Sequence, residues 1–202
     1  MYVICSDLEG VFVPEVWINV AKITGIDELK LTTRDEPDYD VLMKRRLSIL
    51  KQHNLKLKDI QDVIQQIQPL EGANDFIAWI KSVSQLIVVS DTFLEFADPL
   101  MQKLNRPTLL CNHLIIDNHG MIADYQLRQK DGKKKVVQGF HSMDYKVLSF
   151  GDSYNDILML KESEVGILFR PPQNVVTDYP ELKVTTEYSE LKKIISETLG
   201  IC

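Results

Sequence analysis

The sequence predicts an α/β fold, a parallel sheet flanked by helices with a small helical cap inserted after the first strand, and three observations carry that prediction. First, short apolar runs recur and each ends on an acid at the same side: Val3 to Cys5 leads into Ser6-Asp7, Leu86 to Val89 into Ser90-Asp91, and Val147 to Phe150 into Gly151-Asp152. Continuous apolar runs of this length suit parallel strands covered on both faces. Second, helical stripes separate or follow the runs, one of them Phe93, Phe96, Ala97, Leu100, Met101 and Leu104, another Leu191, Ile194, Ile195 and Leu199. Third, the strand signal vanishes between Pro14 and Gln68 and helical spacings replace it.

Within that insert the helically spaced positions are Trp17, Val20, Ala21 and Thr24, then Met43, Leu47 and Leu50, then Ile60, Val63, Ile64 and Ile67. Val13-Pro14 and Pro69-Leu70-Glu71-Gly72 punctuate its two ends and could act as hinges. The division predicted is a core of residues 1–13 and 72–202 with a cap of residues 14–71. Ser90 falls where the second strand is expected to turn into a helix over Thr92 to Leu104, so its hydroxyl also reads as a helix N-cap. His113 to Leu127 holds two short extended runs around Asp117-Asn118-His119-Gly120, which predicts a peripheral hairpin at the sheet edge.

Composition narrows the function. The chain has 202 residues, is 45% hydrophobic and carries a formal charge of -6. It can bury one sizeable core, and its acidic balance argues against nucleic acid or an anionic membrane as partner. A small-molecule partner is expected. Cys5, Cys111 and Cys202 are odd in number and lack metal or disulfide spacing, which points to a reducing cytoplasm. The amino terminus meets Asp7 too early for a signal peptide, and no apolar stretch is long enough to span a bilayer. His53, His113, His119 and His141 show no ligand spacing and are read as structural or surface residues.

The chemistry lies at the strand ends. Asp7, Glu9, Ser90, Asp91, a lysine near 133, Asp152, Asn155 and Asp156 are distant in sequence, yet most fall at equivalent strand ends, where open α/β sheets bind ligands. Asp7, Asp152 and Asp156 brought together would repel one another, so the site calls for a cation, and hard carboxylate oxygens select magnesium. A carboxylate can then attack a phosphate ester and carry the phosphoryl group itself, which makes Asp7 the nucleophile. Some residues have a plain alternative: Glu15 suits any helix start, and Arg46, beside Lys44 and Arg45, reads equally as part of a solvated basic face. Lys133 and Lys134 compete for the same role.

Asp7-Leu8-Glu9-Gly10, Ser90-Asp91-Thr92, the lysine after Arg128-Gln129-Lys130-Asp131, and Gly151-Asp152-Ser153-Tyr154-Asn155-Asp156 resemble the four motifs of the haloacid dehalogenase superfamily. Pro14-Glu15, Thr32-Thr33-Arg34-Asp35, Pro37 to Lys44, Tyr125 to Asp131 and Gly166 to Phe169 extend the likeness to the bifunctional phosphoserine phosphatase/homoserine phosphotransferase family. That resemblance implies a Rossmann-like three-layer core, magnesium as cofactor, and a cytoplasmic enzyme of serine and threonine biosynthesis. Its substrates would be O-phosphoserine with water or homoserine as acceptor, and a homodimer is one assembly left open. Carried over by position, Asp7 is the nucleophile and Glu9 the acid/base. Asp7, Glu9 through its backbone carbonyl, and Asp152 would hold the metal, supported by Asp156. Glu15, Arg46, Ser90, Asp91, Lys133 and Asn155 would bind substrate.

Two other readings compete. A signalling receiver domain also takes phosphate on a strand-end aspartate, but lacks so long a helical insert after its first strand. A phosphatase of the same fold for another small ester would share the core motifs, which fix chemistry better than substrate.

Overall fold

The chain is described here from a computed structural model, which covers residues 1–32, 35–36 and 38–201. Thr33, Arg34 and Pro37, part of the motifs behind the family resemblance, and Cys202 lie outside the described residues.

Among the described residues seven strands, β1 (Tyr2–Ser6), β2 (Leu86–Phe93), β3 (Thr108–Ile116), β4 (Ile122–Gln126), β5 (Lys146–Gly151), β6 (Val165–Phe169) and β7 (Lys183–Thr185), form one sheet in the order β4-β3-β2-β1-β5-β6-β7. All neighbours are parallel except β3 with β4, which pair antiparallel at the edge. β1 is central, with Ile4 opposite Leu86 on one side and Leu148 on the other. The period of two along the strands splits the core into two layers. Ile4, Leu148 and Phe150 face one apolar cluster and Val3, Cys5 and Val147 the opposite one. This is the expected three-layer arrangement.

The first cluster is covered by α4 (Ala73–Val83), α5 (Leu94–Lys103) and α9 (Tyr188–Leu199). Phe76 anchors it, stacked on Tyr188 at 4.7 Å and tilted against Phe150 at 5.9 Å. The second is covered by α6 (Gly132–His141), α7 (Ile157–Glu162) and α8 (Gln173–Asp178).

Between β1 and α4 the described residues form α1 (Val16–Thr24), a 3₁₀ turn (Asp27–Lys30), α2 (Tyr39–Gln52) and α3 (Leu57–Ile64). Local sequence sets their ends. Asp38 accepts from the amides of Asp40 and Val41 at the start of α2, and Gly25 closes α1 in the left-handed conformation with its amide on the Ala21 carbonyl. The helices share the first apolar cluster with the core, Trp17 packing against Phe96, and polar contacts add to that junction. Tyr39 Oη donates to the Asp91 carbonyl at 3.1 Å, Tyr125 Oη to Asp40 at 2.6 Å, and Gln61 to the Glu95 carbonyl at 2.8 Å.

Two expectations need correction. β2 continues to Phe93 and α5 begins at Leu94, so Ser90 is not at the start of a helix over Thr92 to Leu104, nor is it an N-cap. The strand register shifts between Val89 and Phe93, and this irregularity carries the chain onward in extended form where an immediate turn was expected. The β3–β4 hairpin does lie at the edge, yet Tyr125 packs edge-on against both Tyr39 and Phe93. It therefore supports the inserted helices as well as closing the sheet.

Candidate active site

The carboxyl ends of β1, β2 and β5 converge. Asp7 follows β1, and its amide donates to the Phe150 carbonyl of β5 at 3.1 Å, which ties the two loops together. Its Oδ1 accepts from the Leu8 amide at 2.7 Å, and its Oδ2 lies 2.9 Å from Lys133 Nζ. Lys133 comes from the first turn of α6, and its Nζ is also 2.8 Å from Asp156 Oδ1 and 3.8 Å from Asp91 Oδ2. Asp156 is wholly buried, and its other oxygen accepts from the amides of Asp152 and Ser153. That pattern fixes the loop after β5 and aims it at Asp7. Lys134, one residue on, pairs with Glu162 at 3.4 Å on the outside of the helix. The geometry thus brings Lys133, not Lys134, to the strand ends.

Asp7, Asp152 and Asp156 each offer a carboxylate oxygen, and these oxygens lie within 4.8 Å of one another in a buried setting. Burial, then the charges of Asp156 and Asp152, push the Asp7 carboxyl well above the usual range, against the pull of Lys133. The cluster can hold a metal ion, because three carboxylates face one ammonium there. The turn after β1 is shaped for this crowding. Gly10 has φ +72, and a Cβ on it would sit 2.4 Å from Asp152 Oδ2, so only glycine lets that carboxylate approach the backbone.

Above the cluster is a cavity of about 90 Å³ walled by both parts of the chain. Asp7, Ser90, Asp91, Asp152 and Asn155 line it from the strand ends; Glu15 and Arg46 line it from α1 and α2, with Glu9 between. Asn155 Nδ2 donates to Asp91 Oδ2 at 2.9 Å, and Ser90 Oγ accepts from the Thr92 amide at 3.2 Å. All the residues singled out from the sequence therefore gather at one place, with Lys133 and Asp156 forming its base.

Glu9 and Arg46 have distinctive surroundings. Glu9 Oε2 accepts from the Val16 amide at 2.8 Å at the start of α1. Burial, then the nearby charge of Glu15, push its carboxyl up to about 8, so it holds a proton at neutral pH. Arg46 is buried, whereas Lys44 and Arg45 are exposed, which removes the solvated-face reading for Arg46 alone. Its guanidinium lies 4.6 Å over the Trp17 ring. Burial lowers it to about 10, opposed by Tyr39, Glu9 and Glu15, and it stays a cation at neutral pH.

Among the lining residues to which sequence reasoning gave no site role are Tyr39 and Trp17. Each is an aromatic on an amphipathic helix, a signal shared with ordinary packing residues. A second, wider cavity of about 700 Å³ lies beyond Tyr39, Ser90, Asp91 and Asn155, lined also by Arg128, Lys130 and Leu158. Among the described residues no helix is long and apolar enough to cross a membrane, and Cys5 and Cys111 are unbridged and buried.

Comparison with known proteins agrees with this architecture. The family model of the haloacid dehalogenase-like hydrolases matches residues 8–163. The phosphoserine phosphatase ThrH of Pseudomonas aeruginosa is 53% identical over 193 residues, covering 96% of this chain and 94% of that protein. A phosphoserine phosphatase of Pseudomonas syringae pv. tomato is 53% identical over 189 residues, covering 94% of this chain and 80% of the relative. A phosphoserine phosphatase solved as an analogue of its phospho-aspartyl intermediate shares the fold at a TM-score of 0.79, with 20% identity over 95% of this chain and 97% of that one. The resemblance drawn from the motifs is borne out: the chain belongs to the haloacid dehalogenase-like hydrolases, and within them to the family of the Pseudomonas phosphoserine phosphatases.

Proposed function

We propose that the protein is a magnesium-dependent phosphoserine phosphatase that also passes the phosphoryl group to homoserine, through an aspartyl phosphate on Asp7. The observation that carries this reading is the two-sided cavity. A buried carboxylate cluster with one lysine forms its floor, while a buried arginine and a glutamate face it from the inserted helices. The floor suits a phosphoryl group, and the facing pair suits the carboxylate and amine of an amino acid. The 53% identity to two proteins named phosphoserine phosphatase supports the same substrate.

The donor set fits magnesium: hard oxygen atoms, among them closely spaced carboxylates with more negative charge than Lys133 offsets. Asp7, the Glu9 backbone carbonyl and Asp152 would hold the ion, with Asp156 behind them. Bound there, it supplies positive charge against the carboxylates and the phosphoryl oxygens.

In the first half-reaction Asp7 attacks phosphorus, and the phosphorus–oxygen bond to serine breaks. The leaving serine oxygen takes the proton that Glu9 holds. In the second half Glu9, now a carboxylate, withdraws a proton from water or from the homoserine hydroxyl. That oxygen attacks phosphorus and frees Asp7, which leaves inorganic phosphate or phosphohomoserine. Lys133, the Ser90 hydroxyl and the Asn155 amide hold phosphoryl oxygens, and Asp91 steadies Asn155 and Lys133. Arg46 takes the substrate carboxylate and Glu15 its amine.

In this reading residues 1–13 and 72–202 are the catalytic core and 14–71 a cap that reads the amino acid, working in the cytoplasm. Purified protein with magnesium should release phosphate from O-phosphoserine, and homoserine should divert part of it into phosphohomoserine. Asp7→Asn should abolish both and leave no phosphoenzyme. No turnover of O-phosphoserine, or release from an unrelated sugar or nucleotide phosphate in its place, rejects the substrate; wild-type activity in Asp7→Asn rejects the nucleophile.

A further inference from the structure

We propose that Trp17 is a positioning residue for the substrate carboxylate, acting by clamping the Arg46 guanidinium in a single plane. This rests on the reading above, in which Arg46 meets that carboxylate. Trp17 lies on α1 and Arg46 on α2, so the contact joins two elements of the insert.

The clamp has three parts. The guanidinium carbon sits 4.6 Å over the indole, where the ring's negative face attracts a cation. Nη2 donates to the Leu31 carbonyl at 2.8 Å, which fixes rotation within that plane. The indole is itself held edge-on by Phe96 of α5 at 5.6 Å, so the plane of the arginine is referred to the core. Both side chains line the cavity.

Arg46 also keeps unspent capacity. Its Nε is buried and finds no hydrogen-bond partner among the described residues, an expensive state for a charged donor. An arginine placed only to brace the insert would have that donor satisfied by protein. One held in place where it lines the cavity can meet a planar carboxylate without first losing rotational freedom, which is where the clamp acts. The same argument explains a tryptophan at position 17: a leucine would fill much of the space but present no face to the cation.

The test compares O-phosphoserine with O-phosphoethanolamine, which keeps the amine and phosphate but lacks the carboxylate. Trp17→Phe and Trp17→Leu should raise KM for O-phosphoserine, by about tenfold in the leucine variant for a desolvated contact of this kind. The ratio of kcat/KM between the two esters should fall by the same factor, with Trp17→Phe intermediate. In an Arg46→Gln background Trp17→Leu should add no further loss of that ratio. Circular dichroism and the thermal midpoint show whether each variant is folded, and Trp17→Phe serves if the leucine variant is not. Equal losses on both esters, or additive effects of Trp17→Leu and Arg46→Gln on the ratio, overturn the proposal while leaving the phosphatase reading intact. Absence of wild-type turnover of O-phosphoserine overturns the substrate reading and this inference with it.

Discussion

Replacing Gly10 by alanine offers a measurement that separates backbone strain from crowding at the carboxylate cluster. Gly10 and Gly25 share almost the same left-handed backbone, φ +72 and +73. An alanine pays a similar penalty at either position, about 1–2 kcal/mol. In a chain of this length about 1 kcal/mol lowers the melting temperature by roughly 2–4 °C. The surroundings differ entirely. Among the described residues a Cβ at Gly25 meets nothing within 4 Å, whereas at Gly10 it would lie 2.4 Å from Asp152 Oδ2 and 2.6 Å from its Cγ. The carboxylate has to withdraw by about 1 Å to restore an ordinary contact, which pulls it from its place beside Asp7 and Asp156. The expected outcome is that Gly25→Ala shows the modest thermal loss and an unchanged magnesium dependence. Gly10→Ala should need about 10–100 times more magnesium for half-maximal phosphate release, the usual cost of disturbing a metal site through a neighbour. If the two variants share one magnesium midpoint, the assignment of Asp152 as a ligand held in place by the Gly10 turn fails.

Lys133→Met should be severe, because it leaves the fully buried Asp156 and the buried Asp7 without their ammonium, at about 3–5 kcal/mol by denaturant unfolding; Lys134→Met, which breaks a half-exposed pair, should cost under about 1 kcal/mol, and similar losses for the two would remove Lys133 from the site. Glu9→Asp shortens the acid that touches the Val16 amide, so the ratio of phosphate to phosphohomoserine in the presence of homoserine should change; an unaltered ratio ends any role for Glu9 in choosing the acceptor. Glu164 is opposed by partial burial, but the Val147 amide at 2.7 Å and His141 at 3.1 Å lower its pKa below 4.5, so its charged form stabilises the fold above that value and the benefit fades as pH falls through the folded value. Glu164→Gln should therefore destabilise at pH 7 and converge with wild type in acid, and a loss independent of pH would refute that attribution.

The core was legible in the sequence because burial on both faces of a parallel strand demands a continuous apolar run, and because each run ended in an acid. Val3 to Cys5 and Val147 to Phe150 needed no other context. Where the chain broke that rule the reading slipped: Ser90 was expected at a helix start, but β2 carries an irregular extension to Phe93 before α5 can begin. Apart from the family resemblance, which singles them out, Arg46 and Lys133 are each legible only as members of a basic run. Lys44, Arg45 and Arg46 have the same chemistry, and only the rotation of α2 against the strand ends buries Arg46 and exposes its neighbours. Lys133 and Lys134 differ likewise by one step around α6.

What the sequence by itself determined is therefore the periodic and the local: the alternation of strands and helices, the insert after the first strand, and the acids at the strand ends. What only the tertiary structure decided is which of several like residues faces inward, that the Arg46 guanidinium sits over the Trp17 ring, and that burial, with Glu15 nearby, pushes the Glu9 carboxyl up. Those outcomes depend on distances between segments far apart in the chain. Burial and charge act through space, and no spacing along the sequence encodes them.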